Sequence, residues 1–85
     1  MRIKAMAEIA ANVCAKYGFR PYLATFWRWG DIDLQGHYSQ EVLDKLIRDG
    51  FQVSSWRNDK AIFWKLKKDG ICVTLVKEER DGVEG

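Results

Sequence analysis

The stretch ATFWRWGDIDLQG, residues 24–36, sets four bulky side chains in a row and follows them with an acidic, alternating segment. Successive side chains of a strand point to opposite faces of a sheet, so Phe26 and Arg28 would share one face and Trp27 and Trp29 the other. The Gly-Asp pair that follows is typical of a tight turn. The stretch therefore predicts a hairpin with one pair facing outward, and either pair satisfies the pattern.

The elements on both sides of this hairpin can be predicted from the spacing of apolar residues and from residues that cap or end helices. The hairpin strands are expected at 22–29 and 31–38, where aromatic, β-branched and alternating residues are concentrated. Apolar residues at three- and four-residue spacing predict a first helix over about 3–17, which Gly18 would end. A second helix is predicted over about 40–49, with Ser39 as its N-cap.

Three short runs follow the second helix, FQVSSWR, AIFWKLK and ICVTLVKE, and the turn signals NDK and KDG separate them. They predict an antiparallel meander. The expected order is α-β-β-α-β-β-β, an α+β domain in which two helices cover one face of an antiparallel sheet of about five strands. The last run is a candidate edge strand, and such an edge can pair with a second copy of the chain.

The chain has 85 residues and a net charge of +2, which favours neither a nucleic-acid nor a membrane partner by itself. One domain is expected over 1–78, followed by a disordered acidic tail over 79–85. Charge is distributed in blocks, basic over 1–30 and 51–77 and acidic between and after them. Blocks of this kind can give patches of opposite sign on one small surface.

Cellular location is predicted from the cysteines and from hydropathy. Cys14 and Cys72 lie among apolar neighbours without metal-type spacing, which is typical of reduced core thiols. No apolar run is long enough to span a bilayer or to serve as a signal peptide. A cytoplasmic protein with no membrane partner is expected.

Residue patterns that would carry catalysis are weak. His37 is the only histidine, and no cysteine or second histidine lies near it as a further metal ligand. Asp31 and Asp33 share one strand face and are expected to face water. There is no glycine-rich phosphate loop and no nucleophile beside a base. The sequence predicts no enzyme activity, no metal and no cofactor.

The outward face of the meander mixes aromatic rings with cations. The residues expected there, as a candidate nucleic-acid-binding set, are Trp56, Arg57, Phe63, Lys65 and Lys67. Aromatic rings could stack on bases of RNA or single-stranded DNA while lysines hold phosphates. The same mixture is typical of protein interfaces. A third interpretation is that a neighbouring subunit covers the face, or that the aromatics only stabilise the sheet.

Residues 39–76, with VLDKLIRDGFQVSSW leading into two short strands, resemble HicA-type toxins, which have a small double-stranded-RNA-binding-like fold. In that family a histidine of the second strand serves RNA cleavage. The corresponding strand here reads KAIFWK and holds no histidine. The resemblance therefore does not imply RNA cleavage.

The whole chain, with IDLQGHYSQEVLDKLIRDGF at its centre, also resembles small single-domain proteins encoded by phages and other mobile elements. The resemblance implies a compact α+β binder, among which are anti-CRISPR-like inhibitors of host defence systems. The leading hypothesis is a non-enzymatic protein that engages a protein partner through an aromatic and charged sheet surface. Its expected anchors are Trp27, Arg28, Trp29 and Trp56.

Overall fold

Seven elements follow one another along residues 3–79, the part of the chain that the computed structural model describes. They are α1 (Ile3–Tyr17), β1 (Pro21–Phe26), β2 (Ile32–His37), α2 (Gln40–Arg48), β3 (Gln52–Arg57), β4 (Ala61–Lys68) and β5 (Ile71–Glu78). The predicted α+β class and element order are confirmed. Of the predicted tail at 79–85, only Glu79 is described, and its backbone N–H donates to the carbonyl of Lys60 at 2.8 Å.

Both helices begin or end at the residues that the sequence indicated. Gly18 follows α1 with a φ of +68°, a left-handed conformation that residues with a Cβ rarely adopt. The hydroxyl of Ser39 accepts a hydrogen bond from the N–H of Val42 at 3.4 Å, which caps the N-terminus of α2.

The sheet is mixed, and the prediction of an antiparallel sheet is corrected in this respect. The strand order is β1-β2-β5-β4-β3, with β2 and β5 paired in parallel and the other neighbours antiparallel. The chain crosses from β2 through α2 and the β3–β4 hairpin before β5 returns beside β2. The prediction that the last run is an edge strand is also wrong, because β5 lies in the middle of the sheet.

The hairpin at 24–36 is shorter than predicted. Strand β1 ends at Phe26, and the next residues form a turn in which the N–H of Trp27 donates to the carbonyl of Asp31 at 2.9 Å. The N–H of Gly30 donates back to the carbonyl of Trp27, also at 2.9 Å. Trp27 and Trp29 therefore lie in a turn.

Both helices pack on one face of the sheet. Leu34, Val73 and Leu66 of three adjacent strands lie on this face, each at most 1% exposed, in one core with Met6 of α1 and Leu46 of α2. Phe26 packs against the same core. Of the two alternatives for the hairpin, the structure therefore has Phe26 facing inward and Trp27 and Trp29 outside the core. We call the opposite surface of the sheet the open face.

The two edges of the sheet differ. Strand β1 begins with Pro21 and has a register shift between Pro21 and Leu23, features that disfavour pairing with another strand. Strand β3 pairs with β4 in continuous register from Gln52 to Arg57. All six residues of β3 are exposed.

Candidate functional site

The open face is built from alternate residues of all five strands, aligned in rows by the strand register. One row runs from Thr25 of β1 through Asp33, Cys72 and Lys67 to Gln52 of β3. The next row runs through Leu23, Gln35, Thr74, Lys65 and Ser54, and a third through His37, Val76, Phe63 and Trp56. Two lysines therefore lie near the centre of the face, with aromatic rings toward its ends.

Trp27 and Trp29 form a stacked pair beside the row that contains Asp33 and Lys67. Their ring centroids are 4.9 Å apart and the ring planes are inclined by 13°. The indole N–H of Trp27 donates to Asp33 and that of Trp29 to Asp31, each at 2.9 Å. Since each indole is fixed by a carboxylate, the pair is a preformed aromatic surface, with Trp29 still 64% exposed.

This stacked pair lines an open groove of about 600 Å³ at the end of the sheet. We call it the tryptophan groove. Its aromatic and charged lining residues are Trp27, Trp29, Asp31, Asp33, Lys65, Lys67, Lys68 and Asp69. The indole rings with Asp31 and Asp33 lie toward β2, and Lys65 and Lys67 lie on β4, so one groove has both apolar area and two signs of charge.

Two of the lysines that line the groove, Lys65 and Lys67, are available to an outside partner. Within residues 3–79, no carboxylate lies within ion-pair distance of Lys65 or Lys67, whereas Asp33 accepts the hydrogen bond from Trp27. Both lysines are exposed on β4. An anionic group could approach their ammonium groups without breaking an ion pair.

Trp56 and Phe63 form a second stacked pair at the opposite end of the open face. Their centroids are 5.2 Å apart and the planes are inclined by only 7°, and Trp56 remains 47% exposed. Arg57, which the sequence analysis grouped with this pair, is on the opposite face of the sheet. It is the cross-strand partner of Ile62, and both side chains point to the face that the helices cover, here called the helix side. Its guanidinium pairs there with the carboxylate of Glu79.

Arg28 does not line the tryptophan groove but lies in a neighbouring hollow. Trp27 and Trp29 line this hollow too, together with Ile3 and Met6 at the start of α1. Of the four predicted partner-binding residues, Trp27 and Trp29 therefore line the tryptophan groove, Arg28 lines only the neighbouring hollow, and Trp56 lies at the far corner of the open face.

A third aromatic pair was missed by sequence reasoning. The ring of Tyr22 lies 5.0 Å from that of His37, and the Tyr22 hydroxyl accepts a hydrogen bond from Gln35 at 3.0 Å. The register shift in β1 brings Tyr22 to the open face next to Leu23. Proline has no backbone N–H to donate to a neighbouring strand, so Pro21 was a sequence signal for an irregular start of β1.

The thiols of the chain are poorly suited to act as nucleophiles. Burial raises the pKa of Cys72, and the nearby carboxylate of Asp33 raises it further. Burial also raises the pKa of Cys14. In the described part of the chain, no three histidine, cysteine or acidic side chains are grouped as metal ligands, and no helix there is long and apolar enough to cross a membrane.

Comparisons with known proteins returned no matching family model, no matching curated protein and no matching solved structure.

Proposed function

We propose that the chain is a non-enzymatic binding protein whose tryptophan groove engages an acidic surface of a protein partner. The observation that supports this most directly is the Trp27–Trp29 stack, which faces Lys65 and Lys67 across one groove. Rigid indole rings provide contact area at little entropic cost, and tryptophan is enriched among residues that dominate binding energy. The lysines select a negatively charged partner.

Charge on the groove favours a protein over a nucleic acid. Asp31 and Asp33 line it together with the lysines, and a uniformly negative phosphate backbone could complement only the lysines. A protein partner can offer carboxylates to the lysines and N–H groups to the aspartates.

The aromatic geometry supports the same choice. The two indoles are stacked on each other, as are Trp56 and Phe63, so a base could contact only the outer ring of each pair. The cation that Arg57 would have contributed to a nucleic-acid site lies on the helix side with Glu79.

In its narrower form the proposal is a phage-type inhibitor of a host defence system, supported by the resemblance of the chain to small proteins of mobile elements. A cytoplasmic location belongs to this proposal. Both cysteines are free thiols, which agrees with a reducing compartment.

Affinity capture from host lysate, with and without nuclease, tests the proposal. The bait would be the whole chain and its Trp27→Ala/Trp29→Ala double variant. We expect a stoichiometric protein that survives nuclease treatment and is lost with the double variant. The matched control is Ile9→Ala, which removes an exposed apolar side chain from α1, on the other side of the molecule.

Two outcomes would overturn the proposal. One is capture that disappears with nuclease, together with direct salt-sensitive binding of purified RNA or DNA. The other is a folded double variant that retains every partner of the parent chain. Far-UV circular dichroism of each bait establishes that it is folded.

A further inference from the structure

Strand β3 is an edge strand without the usual protection. It has no proline, no register shift and no charged residue between Gln52 and Trp56, and all of its side chains are exposed. Exposed edges of this kind pair with other strands. The other edge, β1, is protected by Pro21 and its bulge.

The hydrogen-bond pattern shows which groups of β3 are free to pair. The N–H of Asn58 donates to the carbonyl of Ala61 at 3.0 Å, so this pair is a hydrogen-bonded one in the β3–β4 ladder. Hydrogen-bonded pairs alternate along an antiparallel ladder. The backbone groups of Trp56 and Ser54 therefore point to β4, and those of Val53, Ser55 and Arg57 point outward.

We infer that β3 pairs antiparallel with β3 of a second copy of the chain, about a two-fold axis at Ser55. In this register the outward groups face each other: Ser55 opposes Ser55 of the second copy, and Val53 opposes Arg57 of the second copy. The three closely spaced pairs form about six backbone hydrogen bonds, two for each pair. The result is a continuous ten-stranded sheet with a single, two-fold symmetric open face.

The side chains of β3 are complementary under this symmetry. Trp56 opposes Ser54 of the second copy, so a large ring lies against a small side chain. The two Trp56 rings are diagonal neighbours, about 7–8 Å apart at the backbone and within reach of each other. With both Phe63 rings they form one aromatic cluster at the centre of the joined open face, which covers side chains that are half exposed in the single chain.

The charges of β3 do not oppose a second copy as the occupant. No like charges oppose each other in this register, and the only charged residue of β3, Arg57, is neutralised by Glu79 of its own chain. A single strand pair is small for a stable interface, so we expect a dissociation constant on the order of 10 µM.

Sedimentation equilibrium from about 1 to 300 µM tests the inference, with Ser55 as the position to change. Ser55→Lys places like charges opposite each other on the axis, and so does Ser55→Glu. We expect each variant alone to be monomeric and their equimolar mixture to form a heterodimer. Ser55→Pro, which removes an outward N–H, should also be monomeric, whereas Ala24→Pro at the protected edge should dimerise as the parent chain does.

A parent chain that remains monomeric at all these concentrations would overturn the inference. So would a dimer that persists in Ser55→Lys and Ser55→Pro, since its interface would then lie elsewhere. Far-UV circular dichroism verifies the fold of each variant. The dimer does not require the tryptophan groove, so Trp27→Ala/Trp29→Ala should dimerise normally, and failure of one proposal leaves the other intact.

Discussion

The indole N–H of Trp27 donates a 2.9 Å hydrogen bond to Asp33, and this bond fixes one ring of the Trp27–Trp29 stack against strand β2. The bond is exposed, so it contributes little to the stability of the whole domain. Its effect is local, because it determines where an otherwise free indole ring lies.

Asp33→Ala should therefore loosen the stack while leaving the domain folded. We expect the near-ultraviolet circular dichroism signal of the coupled indoles to fall to the level of Trp29→Ala, and the free energy of unfolding to change by less than about 1 kcal/mol. Asp44→Ala, on α2, is the control. An unchanged indole signal in Asp33→Ala would show that the Trp27–Asp33 hydrogen bond does not hold the stack.

Gly36 is needed because Phe19 packs against its backbone. A Cβ at position 36 would lie 2.8 Å from two ring carbons of Phe19 and 3.0 Å from the carbonyl oxygen of Arg20. Gly36→Ala should lower the free energy of unfolding by about 1–3 kcal/mol, measured by urea denaturation. The double variant with Phe19→Leu should recover part of this loss, and strict additivity would contradict the steric explanation.

Leu66 and Val53 are cross-strand neighbours on the helix side, yet they differ in burial. Leu66 is 0% exposed and Val53 is 44% exposed. Leu66→Ala should cost about 2–5 kcal/mol because it leaves a cavity, whereas Val53→Ala should cost less than about 1 kcal/mol. Equal losses in urea denaturation would mean that the helices also cover β3. The measurement is made below about 1 µM, where the β3–β3 dimer is dissociated.

Tyr17 links the ends of the two helices. Its hydroxyl donates to a carboxylate oxygen of Asp49 at 2.6 Å, and this hydrogen bond holds the pKa of Asp49 below its ordinary value of 3.8. Because the folded-state pKa is the lower one, the stabilisation is complete above pH 3.8 and is lost as the pH falls through the folded-state pKa.

Tyr17→Phe keeps the ring that packs edge-on against Phe51 and removes only the hydroxyl. We expect the variant to be less stable than the parent chain at pH 6, with the difference shrinking as the pH falls below 4. Thermal unfolding at a series of pH values measures this. A difference that is constant with pH would mean that the hydroxyl does not favour the ionised form of Asp49.

Local features of the sequence were sufficient to predict the elements. The apolar spacing of α1, the cap at Ser39 and the Asp69-Gly70 turn each depend on residues close together in the chain, and the structure confirms all three. The alternation of the meander also placed Trp56, Phe63, Lys65 and Lys67 on one face, as the register shows.

The order of strands was not predictable in this way. The parallel pairing of β2 with β5 joins segments about 40 residues apart, and hairpin signals describe only neighbouring strands. The same limit explains why β5 was expected at an edge. Trp27 and Trp29 were assigned to a strand because aromatic residues favour strands, whereas hydrogen bonds of the turn end β1 at Phe26.

The central claim is that Lys65 and Lys67, facing the tryptophan groove, bind an acidic protein surface. Isothermal titration of the purified partner with the parent chain and with Lys65→Glu/Lys67→Glu tests it most directly, with Lys4→Glu on α1 as the control for a charge reversal away from the groove. We expect the double variant to bind at least about tenfold more weakly, and Lys4→Glu to bind like the parent chain. Equal affinity of the folded double variant and the parent chain would contradict the claim.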